Sequence, residues 1–283
     1  MINFSPVRCD ESAYADYVDL FSQCFPGNSR FTREYLDWLY RCNPDGRAVG
    51  VDAWDGNRLA AHYVCIPARA YVGGVEVSVL LSLNTATLPA YQGKGLFTQL
   101  AERTYAAGLE QGFDCVYGVA NANSTPGFTR KLKFQLVGPL DAKVGLGSLG
   151  IDFTSICATV FRRSWSQQAL AWRCACPVNS VVVRSDGVNT QYFAPALLGH
   201  VCMASAEIGV ANASTDGAET LVSPLRLFLG KVPLPAQRMA LYVNIPHKLR
   251  PSPLNLIYRS LSGRLPAIDG DAVFLNFLDF DAY

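Results

Sequence analysis

The segment Thr87-Leu88-Pro89-Ala90-Tyr91-Gln92-Gly93-Lys94-Gly95-Leu96-Phe97 has the residue types and spacing to hold a phosphate. A strand pattern breaks at Pro89, a glycine turn follows, and an amphipathic helix pattern starts near Leu96. Backbone N–H groups at a helix start converge on one place, and the helix dipole adds partial positive charge there. Gly93 and Gly95 carry no side chain that would hold a phosphate away from those donors.

Three phosphate-binding readings compete at this turn. A Walker-type loop needs Lys followed by Ser or Thr, but Lys94 is followed by Gly95. A dinucleotide fingerprint needs a third glycine where Thr98 stands. The third reading is Gln92-Gly93-Lys94-Gly95-Leu96, flanked by Tyr91 and by the helix. It resembles the acyl-CoA pyrophosphate loop of the GNAT N-acetyltransferase superfamily, with Gln92 and Gly95 on the family pattern and Phe97 in its last small position. An ordinary strand–turn–helix joint is the alternative without a ligand.

The following residues are similar to the second half of a GNAT domain. Phe113 to Ala120 reads as a buried strand, Asn121-Ala122-Asn123-Ser124 as a polar loop, Phe128 to Leu132 as a short helix, and Phe134 to Gly138 as another strand. The resemblance covers about residues 1 to 140. It implies that Leu88, Gln92, Gly93, Lys94, Gly95, Leu96 and Phe97 contact the coenzyme. It also implies that Asn121, Asn123 and Ser124 hold the pantetheine arm.

The elements that must position this site are also legible. Ser12 to Phe25 and Phe31 to Tyr40 read as helices, the second capped by Thr32. Val49 to Trp54 and Leu59 to Ile66 read as strands joined at Asp55-Gly56-Asn57, and Gly73-Gly74 makes the next hairpin. Val79 to Leu83 alternates as a half-buried strand, and Leu96, Leu100, Tyr105 and Leu109 form a helix's apolar side. The predicted class is α/β, an α+β mixed sheet of GNAT-like acyl-CoA N-acyltransferase type. Trp38 and Tyr40 are candidates for an acceptor pocket.

Past residue 148 the chain echoes its first half. Leu170 to Pro177 parallels Leu36 to Pro44, and each precedes a valine-rich strand ending near Asp-Gly, at Asp186-Gly187 and Asp55-Gly56. Thr220 to Leu229 resembles the helix after the loop, and Met239 to Val243 resembles the strand at Val116. Asn212 to Gly217 stands where the glycine loop should be, and its Asp216 would repel a diphosphate. The expected organisation is a coenzyme domain at 1–148, a linker at 145–150, and a degenerate GNAT-like domain at 149–283. The second domain, lacking the CoA loop, would cover the acceptor. Phe274 to Tyr283 reads as a closing strand whose Asp279, Asp281 or Tyr283 could approach the acceptor.

Composition narrows the partners. A net charge of +1 over 283 residues gives no footprint for nucleic acid. No apolar run spans a bilayer, and the N-terminus lacks the order of a signal peptide. Nine scattered cysteines suggest reduced thiols in the cytoplasm. Cys174 and Cys176 have no second pair at zinc spacing, so no metal is expected.

GNAT chemistry moves an acyl group from a thioester to an amine. The resemblance implies a backbone N–H near Thr87 to polarise the thioester, and it places at Thr129 the Tyr that often protonates the thiolate. His62 is the candidate base, with Glu34, Asp37 and Glu76 as others, and Asn84 or Thr85 could orient a water. The reading is transfer of an acetyl or short acyl group from acetyl-CoA, or another acyl-CoA, to a small-molecule primary amine, with an amino sugar as one candidate acceptor. A catalytically silent CoA-binding scaffold is the alternative.

Overall fold

The computed structural model describes residues 1–185, 189–196, 199–209, 222–250 and 252–280. Nearly every residue from Leu59 to Ala68 is buried, because both faces of that strand are covered. Helices α1 (Glu11–Cys24) and α2 (Arg33–Tyr40) pack on one face, against Val64, Ile66 and Ala68. Helix α3 (Leu96–Glu110) packs on the other, against Ala61, Tyr63 and Cys65. Asp10 caps α1 by accepting from the Ala13 N–H, and Thr32 caps α2 by accepting from the Tyr35 N–H.

The strands of the first half are β1 (Ile2–Pro6), β2 (Val49–Asp55), β3 (Arg58–Val72), β4 (Val75–Thr87), β5 (Cys115–Asn121) and β6 (Gln135–Pro139). Then follow β7 (Asp141–Leu146), β8 (Phe161–Ser164), β9 (Val182–Ser185) and β10 (Asn189–Ala196). The last four are β11 (Gly199–Gly209), β12 (Leu225–Gly230), β13 (Tyr242–Asn244) and β14 (Leu254–Ser260). The short helices α4 (Phe153–Ile156) and α5 (Gln167–Cys174) lie between β7 and β9.

Among the described residues these strands form two sheets. The first runs β1-β2-β3-β4-β5-β14-β6, with β8 also on β3, and the second runs β13-β7-β12-β11-β10-β9. In each sheet one parallel pair sits among antiparallel ones: β4 with β5, and β11 with β12. Set side by side, β2 to β5 correspond to β9 to β12, β14 to β7, and β6 to β13. The echo at Leu36 and Leu170 is therefore a repeat of architecture.

The two halves also trade a strand. β7 follows β6 in the chain but joins the second sheet beside β12. β14 follows β13 but inserts into the first sheet between β5 and β6. The expected cut at 148/149 thus crosses an interleaved structure, with residues 254–260 completing the first sheet. Trp38 and Trp172 meet between the halves, rings stacked at 4.7 Å. Each indole Nε1–H donates to the other residue's carbonyl at 3.0 Å, a pseudo-two-fold exchange.

Several expectations change here. Trp38 and Tyr40 are core residues, 8% and 0% exposed, because Trp172 of the other half stacks on the first and Tyr17 and His62 enclose the second. Residues 145–150 are no linker: Gly145 lies in β7, where a Cβ would sit 2.5 Å from the Leu241 carbonyl oxygen, and Leu149 is fully buried. Leu225–Gly230 is strand β12 and not a helix, and the 242–244 strand matches β6 and not the strand at Val116. Leu109 is exposed. Phe277–Asp279 forms a tight helical turn instead of a strand, and buried Asp279 accepts from the Trp165 indole. Asp186-Gly187, Asn212 to Gly217, Thr220, Asp281 and Tyr283 lie outside the described residues. No helix among the described residues is long and apolar enough to cross a membrane.

The Trp pair should be coupled across the halves. Trp38→Ala is expected to lower stability by about 3–5 kcal/mol, the range for removing a buried Trp. In a denaturant double-mutant cycle with Trp172→Ala, the two losses should fall clearly short of additivity. Full additivity would show that the contact carries no energy of its own.

Candidate active site

Strands β4 and β5 pair in parallel from Val79 with Cys115 to Ser82 with Gly118, and then diverge. The divergence has a local cause. On the β3 side, Leu83 pairs with Val64 and Ala86 with His62, so Asn84 and Thr85 together stand against Tyr63 alone. This bulge re-aims β4, and Asn84 takes a left-handed φ of 42°. Beyond Ser82 the backbone groups of β4 and β5 no longer serve each other.

A cleft of about 810 Å³ opens in the gap on the α3 side. Its walls include Ser82 to Thr87, Gly118 to Asn121, and Gly127 and Phe128 from the helical turn Gly127–Lys131. Of the predicted residues, Thr87, Gln92, Phe97, Asn121, Asn123 and Ser124 line it. The Gly93–Gly95 turn is exposed, with φ of 75° at both glycines, and Gly95 opens α3 without a side-chain cap. A Cβ at Gly93 would meet nothing within 4 Å, and one at Gly95 only the Gln99 Nε2 at 3.8 Å. Left-handed backbone and open space over bare helix N–H groups fit a diphosphate. Lys94 folds back with Nζ 4.7 Å from the Tyr91 ring centre, and the Tyr91 hydroxyl donates to Asp55.

Other predicted residues serve differently. Leu88 and Leu96 are 2% and 5% exposed, so only their backbone could face a coenzyme. Phe97 stands edge-on to Phe128 and fills the space over Gly127, where a Cβ would lie 3.1 Å from its ring. The Asn121 side-chain oxygen accepts from the N–H groups of Asn123 and Ser124, closing the loop that leads into the helical turn. Thr129 donates its hydroxyl proton to the Thr125 carbonyl at 3.0 Å and is not in the cleft wall. His62 is fully buried, with Nδ1 2.7 Å from Asp52 and Nε2 3.0 Å from the Tyr40 hydroxyl. Direct contact of His62 with a substrate is excluded by that burial, a correction to its candidacy as a base. Glu34, Asp37 and Glu76 line neither of the two clefts described here.

A second cavity, about 600 Å³, opens on the opposite side of the divergence. Leu81, Leu83 and Val119 of the first sheet face Leu227, Leu229 and Ile245 of the second half across it. Arg30 and Arg250 bring positive charge to its rim. The two clefts share Ser82, Leu83, Asn84 and Val119.

Sequence reasoning missed Cys24, Val119 and the apolar wall from the second half. Cys24 lines the first cleft. Burial pushes its thiol up, and the neighbouring Thr87 backbone N–H pulls the other way. Thr87 lines the same cleft. Only the helix end at Cys24 signalled this, and a cysteine there reads as core.

Residues 7–137 match the family model described as acetyltransferase (GNAT) domain. No curated protein matches the sequence. Among solved structures, Eis1 from Mycobacterium abscessus is similar at 11% identity and TM-score 0.58, over 92% of this chain and 74% of that one. A GCN5-related N-acetyltransferase from Anabaena variabilis is similar at 12% identity and TM-score 0.60, over 92% and 73%. One from Kribbella flavida is similar at 13% identity and TM-score 0.55, over 93% and 72%. The likeness in fold thus extends over both halves.

Cys24 provides a built-in probe of the cleft. CoA is expected to slow alkylation of Cys24 by iodoacetamide, read by peptide mass spectrometry. Cys42 and Cys157, both exposed, should react equally with and without CoA. Equal rates at Cys24 would place the coenzyme elsewhere.

Proposed function

We propose, from the premise that residues 7–137 match a GNAT acetyltransferase domain, that the protein transfers an acetyl or other short acyl group from acyl-CoA to a primary amine. One observation carries this reading: two clefts enter from opposite sides and meet at Ser82, Leu83, Asn84 and Val119. A thioester delivered from the Gly93–Gly95 side would present its carbonyl at that junction. An amine in the second cavity would attack it there.

The chemistry needs little more than this placement. The amine nitrogen bonds to the carbonyl carbon and gives up one N–H proton to water, the C–S bond breaks, and the sulfur leaves as a thiolate that takes a proton back from water. A backbone N–H on β4, at Thr87 or the bulge before it, would stabilise the oxyanion. Holding both reactants in one geometry removes much of the entropic barrier. Thr129, with its hydroxyl engaged by Thr125, supplies no evident acid. Water reaching the cleft would then protonate the thiolate.

The lining argues for a particular kind of acceptor. An amino sugar would set its hydroxyls against Leu81, Leu227, Leu229 and Ile245, leaving them without partners. An amine on an apolar body fits this wall better, and we favour it over the amino sugar. A cytoplasmic site of action accords with nine unpaired cysteines. The engaged hydroxyl of Thr129 keeps the second reading, a CoA-binding scaffold without turnover.

Two measurements decide. Thiol release from acetyl-CoA with a panel of primary amines separates the enzyme from the scaffold. Gly95→Glu is expected to abolish CoA binding by calorimetry, since the carboxylate would stand among the diphosphate donors. It should lower thermal stability only modestly, by the strain of a left-handed φ. A variant that still binds CoA at wild-type affinity would refute the loop's role.

A further inference from the structure

A buried chain of hydrogen bonds runs from the first sheet to the junction of the two clefts. Asp52, 1% exposed, accepts from the Tyr17 hydroxyl at 2.8 Å and faces His62 Nδ1 at 2.7 Å. His62 Nε2 meets the Tyr40 hydroxyl at 3.0 Å, and the Tyr40 oxygen accepts from Asn84 Nδ2 at 3.1 Å. Asp52, His62, Tyr40 and Tyr17 are all essentially without solvent contact. Asn84 alone reaches the clefts, and it lines both.

The proton positions in this chain are not independent. A carboxylate only accepts, so Asp52 takes the proton-bearing Nδ1 of His62. In a neutral imidazole Nε2 is then left as an acceptor, and the Tyr40 hydroxyl donates its proton to it. With that proton committed, the phenol oxygen accepts from the Asn84 side chain, which must present its NH₂ group inward. The Asn84 carbonyl oxygen, Oδ1, is then turned to the junction. An amide whose two ends look alike in shape is thereby held in one of two orientations by a charge three residues away in the chain of bonds.

We infer that Asn84 is a catalytic residue that accepts an N–H of the incoming amine on Oδ1, with Asp52, His62 and Tyr40 as the positioning residues that fix its orientation. This rests on the acyl-transfer reading above. A hydrogen-bond acceptor there orients the amine so that its lone pair faces the thioester carbon. The reverse orientation would offer NH₂ to the amine and compete for that lone pair. The left-handed φ of Asn84 follows from the same requirement, because the bulge aims this side chain at the junction. The burial that removes His62 as a base makes it a suitable anchor for the chain.

Asn84→Gly tests the inference with little risk to the fold, because glycine accepts a φ of 42° without strain. With 2-phenylethylamine as the apolar primary amine, kcat is expected to fall at least about tenfold, with the CoA Kd unchanged. Asn84→Asp keeps an acceptor oxygen toward the junction and should recover part of that loss. A wild-type kcat in Asn84→Gly would overturn the inference, as would a loss of CoA affinity equal to the loss in kcat. The second result would mean that Asn84 holds the pantetheine.

Orientation is read separately by NMR of the Asn84 side-chain amide, assigned by its absence in Asn84→Gly. Slowed exchange and contacts to the Tyr40 ring are expected, and both should vanish in Tyr40→Phe. An amide exchanging as freely as an exposed Asn overturns the inference whether or not 2-phenylethylamine is a substrate. Failure of wild-type protein to bind CoA would instead sink the acyl-transfer reading.

Discussion

Two parallel strands that separate must leave backbone N–H and C=O groups without each other, and buried groups of this kind require partners. This constraint acts twice in the molecule. In the first sheet β4 and β5 part after Ser82 and Gly118, and the gap becomes a pair of clefts. In the second sheet the ladder of β11 and β12 ends at Ala204 with Leu227. Just past that point buried Glu207 accepts from the Leu149 N–H and the Ser148 hydroxyl, both at 2.7 Å. The stretch expected to be a linker is thus tied to β11 by a buried carboxylate.

Strand exchange makes the two halves depend on each other. The first sheet would end in an unpaired β5 edge without β14, and β6 would have no neighbour. β7 has the same standing beside β12 and β13. Each half completes the other, so neither reads as a free-standing domain. The stacked Trp38 and Trp172, with their reciprocal indole bonds, mark the axis of the arrangement. The second half also supplies one wall of the second cavity, through Leu227, Leu229 and Ile245.

What could be read from the chain was what depends on local spacing. The glycine turn and α3 follow from φ requirements and helical periodicity, which neighbouring residues decide. Strands β2 to β5 and the cap at Thr32 are equally local. The echo around the two Trp residues was visible, but its placement beyond residue 200 slipped. Leu225–Gly230 is apolar enough for either a helix or a strand, and its pairing with β11 and β7 decides. Strand exchange leaves no trace in spacing at all. Gly145 and Leu149 looked like a flexible joint because glycine there answers to the close approach of Leu241, a long-range contact.

His62 shows why a residue's chemistry cannot be read from its type. From sequence it is a histidine near the site, hence a base. In the fold it sits on the α1 and α2 face of β3, its ring 4.5 Å from that of Tyr17 and wholly enclosed. Burial does not make it inert. Between a carboxylate and a phenol, it fixes the direction of donation, which runs inward from Asn84 to Tyr40, from Tyr40 to His62 and from His62 to Asp52. A polar network of this kind is tolerated in a core only when each member is satisfied. Here the end of the network is the bulge that opens the site, so the element that parts the strands also sets the polarity of the group placed at the parting.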